Sequence, residues 1–177
     1  MSTASKPTNV VDAVGLLKTG FDSETIRHGL IRRWSSEHNV HPDRIERHLI
    51  DEDSREPSSR VDASLESWGL SLDLKSLEKG FEALIDAKKR RKQGDVYTPV
   101  AVIDHLLESS LEMATCEDTP VILDNACGSG GFLVRAAKLL ILRFGLTCGD
   151  DVMSHIVGFD NDPTAIRNAK CILDLLK

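Results

Sequence analysis

Asp124 opens directly onto Asn-Ala-Cys-Gly-Ser-Gly-Gly131, a carboxylate followed by three glycines within four residues. Glycines accept positive φ and let a ligand approach the backbone closely, so amides and carbonyls of Ala126, Cys127, Gly128, Ser129 and Gly130 can frame a small molecule at short range. Spacing narrows the choice of ligand. A dinucleotide fingerprint requires glycine where Leu133 stands, and a phosphate-binding P-loop requires lysine where Phe132 stands. The turn has an acid before it and no cation to meet phosphates. That chemistry suits a ligand that is cationic and phosphate-free.

The flanking residues predict the elements that hold this turn. Val121 to Leu123 reads as a short buried strand, closed by Asp124. Phe132 to Phe144 is apolar nearly all round and reads as a helix packed on a sheet, ended by Gly145. Ile156 to Phe159 reads as a second strand, and Asp162-Pro163 gives a cap and a first-turn proline for a helix carrying Ala165, Ile166, Ala169, Ile172 and Leu173. Upstream, Thr98 as N-cap and Pro99 as first helical residue start a helix with Val102, Ile103, Leu106, Leu107 and Leu111 on its buried face. Strand, glycine turn, helix is the α/β arrangement that places a ligand at the carboxyl end of a strand.

The stretch Asp124-Asn-Ala-Cys-Gly-Ser-Gly-Gly-Phe132 resembles the S-adenosylmethionine motif of adenine-specific (N6) DNA methyltransferases, usually Asp-Pro-Ala-Cys-Gly-Ser-Gly-Gly-Phe. The likeness is greatest to methylation subunits of restriction-modification systems. Asn125 replaces the usual proline and tolerates turn geometry. Two more segments are similar to family motifs, in the family's order. Gly94-Asp-Val-Tyr-Thr-Pro99 is similar to the segment that helps hold the methionine end of the cofactor, and Val157-Gly-Phe-Asp-Asn-Asp-Pro163 is similar to the second-strand motif whose first acid grips the ribose.

The resemblance implies the first part of a Rossmann-like class I S-adenosylmethionine-dependent methyltransferase domain. It also implies a cofactor site drawn from Tyr97, Thr98, Pro99, Asp124, Ala126, Cys127, Gly128, Ser129, Gly130, Phe132, Asp160 and Asn161. Asp160 would accept from the ribose hydroxyls, Asn161 would approach the adenine, and Thr98 would face the methionine carboxylate. Asp162 has a competing duty as helix cap. Phe132 can pack beneath the loop, and Cys127 reads as a packed side chain rather than a nucleophile. No residue is assigned to the chemical step. That work belongs in this family to an Asn/Asp-Pro-Pro-Tyr/Phe segment, and this sequence has no Pro-Pro pair.

The remaining sequence divides into a helical region over residues 1–72, with a loop near 51–60, and residues 73–177 as a linking helix plus the cofactor-binding half. Short helices are expected over Val10 to Leu17, from Asp22 or Ser23 to about Glu37 with Trp34 in the core, and from Pro42 with Ile45, Leu49 and Ile50 inward. From Asp73, the spacing of Leu74, Leu77, Phe81, Leu84 and Ile85 predicts an amphipathic helix running into Lys88-Lys-Arg-Arg-Lys92. Those cations can complement a helix C-terminus or meet DNA phosphates.

With 41% hydrophobic and 28% charged residues, the composition is that of a globular protein. A net charge of −6 restricts any DNA-binding face to a local patch. No apolar run reaches membrane-spanning length and the first residues lack a signal-peptide core, so a cytoplasmic location is expected. Cys116, Cys127, Cys148 and Cys171 form no Cys-x-x-Cys pair, and the six histidines form no metal pattern.

The expected function is the cofactor-binding portion of a site-specific DNA adenine-N6 methyltransferase of a restriction-modification system. It is expected to be inactive alone, with a second chain or a C-terminal segment supplying catalysis and base recognition. Alternatives are a non-catalytic docking module of such a complex, or part of an RNA or protein methyltransferase.

Overall fold

The computed structural model describes residues 6–40, 44, 55–85, 98–113 and 119–176. The chain forms two compact units, Met1–Lys89 and Arg90–Lys177.

In the first unit, α1 (Val10–Leu17), α2 (Ser23–Glu37), α3 (Arg55–Ser67) and α4 (Leu74–Leu84) pack as a helical cluster. Local chemistry sets the helix starts. Asp22 accepts from Thr25 N at 2.9 Å and Asp73 from Ser76 N at 2.7 Å, each supplying an acceptor that a first helical turn lacks. Val14, Ile26, Leu30, Ile31, Leu77 and Phe81 are fully buried, and Trp34 joins them. Leu74–Leu84, expected to lead into the second domain, belongs to this cluster. A Cβ on its Gly80 would come within 2.9 Å of Leu30 and 3.1 Å of Val10.

The loop expected near 51–60 is replaced by helix from Arg55 onward. The cause is tertiary. Val61 of α3 fills the space over Gly29, where a Cβ would come within 2.3 Å of it, and Ser58 is buried while accepting from Arg32 Nε at 2.9 Å. Apart from Arg44, the helix expected from Pro42, with Ile45, Leu49 and Ile50, lies outside the described residues, as does the Lys88–Lys92 run. The described helix before that run ends at Leu84, with no basic residue in its last turn.

His28 gives this unit a pH dependence. Its ring is buried in α2, and neither nitrogen forms a hydrogen bond. Burial, reinforced by Arg27, holds its pKa below the ordinary 6.5. The folded state therefore binds fewer protons than the unfolded one, and stability present above 6.5 is lost as pH falls through and below that value. Backbone bonding to Thr25 lowers the Asp22 pKa and bonding to Ser76 lowers that of Asp73, so both contribute stability that is present above the ordinary carboxylate value of 3.8 and lost as pH falls below it. Burial raises the Asp62 pKa, which acts in the opposite sense.

Tryptophan fluorescence reads this unit directly, because Trp34 stacks on His38 at 4.4 Å. Urea unfolding followed by that signal is expected to show a lower midpoint at pH 5.5 than at 7.5. His28→Leu should flatten the difference, and an unchanged difference in the variant would assign the effect elsewhere.

The second unit contains α5 (Val100–Met113), β1 (Ile122–Asp124), α6 (Gly131–Phe144), α7 (Asp150–Met153), β2 (Ile156–Gly158) and α8 (Pro163–Leu176). The strands pair in parallel, with Ile122 opposite Ile156, Leu123 opposite Val157 and Asp124 opposite Gly158. Parallel pairing requires a crossover, which α6 and α7 supply. Ile122 and Ile156 face inward against Ala137, Leu140 and Val152. Strand alternation turns Leu123 and Val157 to the other face, where both are exposed. Among the described residues, no helix is long and apolar enough to cross a membrane.

Candidate functional site

The glycine turn leaves β1 and meets the exit of β2. Phe159 N donates to Asp124 O at 2.8 Å and Cys127 N to Phe159 O at 2.8 Å, so the strand pairing continues past both strand ends. Asp160 then locks the turn. Its Oδ2 accepts from Gly128 N at 2.9 Å and its Oδ1 from Asp162 N at 2.8 Å. Each oxygen of an ionised carboxylate has a second lone pair, so Asp160 retains accepting capacity while holding two amides. Asp124 Oδ1 accepts from Ala126 N at 3.1 Å.

Gly128 and Gly130 have φ of +52° and +93°; Gly131 does not share this geometry and begins α6. A Cβ on Gly130 would sit 2.9 Å from Ala169 Cα, so this glycine is demanded by the packing of the turn on α8. Gly128 has open space around it. The Gly130 carbonyl accepts from Val134 N at 2.9 Å, and no side chain caps the start of α6. Ser129 is buried, and its Oγ has no hydrogen-bond partner.

Cys127 packs with Leu133 and Ala169, against Ile156, Ile166 and Leu173. Burial, followed by the negative charges of Asp124 and Asp160, pushes its thiol up to about 11. The thiol is therefore protonated at neutral pH and is no ready nucleophile.

Thr98 and Pro99 are exposed at the start of α5, and the residues Gly94 to Tyr97 lie outside the described part of the chain. The cap falls one residue later than Thr98. Pro99 O accepts from Val102 N at 2.8 Å and Ile103 N at 3.1 Å, so the first turn closes on the proline carbonyl and Val100 is the first helical residue. Phe132 is half-buried and packs with Ile103, Leu107 and Ala136. Asn161 is exposed beside Asp160. Asp162 is the cap of α8: its carbonyl accepts from Ile166 N at 3.1 Å and its Oδ1 from Thr164 N at 2.9 Å.

The structure thus brings Asp124, residues 126–130 and Asp160 together at the carboxyl ends of both strands. Two features have no local sequence signal. Asn168 is fully buried on α8 with neither side-chain polar atom hydrogen-bonded, and Arg135 forms an ion pair with Asp104.

A family model for N-6 DNA methylases matches residues 78–175. No curated protein and no solved structure matches the chain.

Proposed function

The chain belongs to the N-6 DNA methylase family, and from that membership we propose that it is the S-adenosylmethionine-binding portion of a site-specific DNA adenine-N6 methyltransferase of a restriction-modification system. The observation that carries this reading is the pairing of two acids across one glycine turn, with Asp160 holding Gly128 N and Asp124 holding Ala126 N.

The residues fit such a ligand. Its ammonium and sulfonium favour carboxylates, which Asp124 and Asp160 supply, and residues 124–131 include no lysine or arginine. Its carboxylate favours backbone donors, and the uncapped start of α6 offers them. Asp160 would accept from the ribose hydroxyls, Asp124 would face the cationic methionine end, residues 126–130 would frame it, and Thr98 would donate to its carboxylate. When bound, S-adenosylmethionine supplies an electrophilic methyl group.

This chain's residues bind and orient, and the protonated Cys127 thiol stays out of the chemistry. Transfer to an exocyclic amine also needs groups that position the extruded base. The sequence has no Pro-Pro pair of the kind that does this in the resembling enzymes, so further polypeptide is assigned that task. The exposed Leu123–Val157 face of the sheet supports this, because parallel sheets ordinarily have both faces covered.

Thermal melts of the whole chain with different ligands test the reading. S-adenosylmethionine and S-adenosylhomocysteine should raise the melting temperature, with about 2.7 kcal/mol of stabilisation at a hundredfold excess over Kd, whereas ATP and NAD should not. Protection by the phosphate-bearing ligands alone would overturn it. Labelled methyl transfer to mixed-sequence DNA should be absent from the chain alone.

A further inference from the structure

The starts of α5 and α6 are tied by one charged fork. Arg135 Nη2 donates to Asp104 Oδ2 at 2.6 Å, and Arg135 Nε donates to Asp104 Oδ1. A two-pronged guanidinium–carboxylate contact fixes mutual orientation as well as separation. Ile103, next to Asp104, packs in the same place with Phe132, Ala136 and Ile122.

Each partner lies near the start of its helix. Val100 precedes Asp104 and Gly131 precedes Arg135 by four residues each, roughly 6 Å of helix axis at the rise per residue of an α-helix. The fork therefore restrains the start of α5, which Thr98 and Pro99 precede, relative to the start of α6, which the glycine turn precedes. Both side chains are 38% exposed, so the pair adds little to stability by itself. Its consequence is geometric.

We propose that Asp104 and Arg135 are positioning residues for the amino-acid end of the cofactor, fixing the start of α5, with Thr98 and Pro99 just before it, relative to the glycine turn that leads into α6. The proposal rests on the cofactor reading above. It makes a distinction between ligands that general destabilisation does not. S-adenosylhomocysteine carries the amino-acid end, and 5′-methylthioadenosine carries the adenosine and sulfur without it.

Dissociation constants for both are measured on the whole chain, on Asp104→Ala, on Arg135→Gln and on the double exchange Asp104→Arg with Arg135→Asp. Each single variant should bind S-adenosylhomocysteine about tenfold more weakly, the scale of coupling between neighbouring sites. Binding of 5′-methylthioadenosine should stay within about twofold, the scatter of uncoupled positions. The double exchange should recover most of the lost affinity. Equal weakening of both ligands, unchanged binding of S-adenosylhomocysteine, or a double exchange that recovers nothing would overturn the positioning role while leaving the cofactor reading intact. A wild-type chain that binds neither ligand would overturn the cofactor reading and the positioning role with it.

Discussion

Gly130→Ala is expected to destabilise the Arg90–Lys177 unit by about 3 kcal/mol or more, combining an unfavourable backbone conformation with overpacking. The φ of +93° lies outside what side-chain-bearing residues adopt readily, and the new Cβ would meet Ala169 Cα at 2.9 Å. That contact cannot relax by a side-chain rotation, because Ala169 presents backbone. Gly128→Ala in the same turn is the control. Its φ of +52° falls in the left-handed helical region and its surroundings are open, so a loss of roughly 1–2 kcal/mol is expected. Tryptophan fluorescence would miss both effects, since Trp34 and Trp68 belong to the first unit. Hydrogen exchange of α6 and α8 amides is the appropriate measurement, and equal effects at the two glycines would contradict the packing assigned to Gly130.

Asp160→Ala should abolish cofactor binding, with a loss of about a hundredfold or more, or roughly 2.7 kcal/mol. Two mechanisms act together. The Gly128 and Asp162 amides lose their acceptor, which frees the turn from the exit of β2, and the proposed cofactor loses the carboxylate assigned to its ribose. Asp160→Asn should be nearly as damaging, because its amide group would turn an N–H toward a backbone donor. Asp124→Asn should cost less. Only Oδ1 of Asp124 accepts a backbone bond, and a side-chain carbonyl can keep it. Measured affinities in the order wild type, Asp124→Asn, Asp160→Asn, Asp160→Ala check this ranking, and near-equality of Asp160→Ala with wild type would remove Asp160 from the site.

What was legible in the sequence is what depends on neighbours along the chain. The caps at Asp22 and Asp162 are local, since a short acidic side chain meets an amide two or three residues on. The strand–turn–helix around Asp124 was legible because apolar runs and glycines punctuate it. Helix α3 was not, because Arg55–Ser67 has little apolar periodicity and is stabilised by Val61 seated over Gly29 and by Arg32 bonded to Ser58.

Within the site, Asp124 and Asp160 could be named from sequence. Their attachment to specific amides could not, because Gly128 and Asp160 are 32 residues apart. The Asp104–Arg135 fork spans 31 residues and is likewise a product of packing. Asn168 has the sequence position of a core residue in α8, and only the structure shows its side chain enclosed without a partner.

The most direct measurement of cofactor binding is calorimetric titration of S-adenosylmethionine into the whole wild-type chain, with Asp160→Ala titrated in parallel and circular dichroism confirming that both are folded. A saturable one-site isotherm in wild type that Asp160→Ala loses is the predicted result. No binding by a folded wild-type chain, or binding undiminished by the substitution, would contradict the assignment of this turn and its two acids to S-adenosylmethionine.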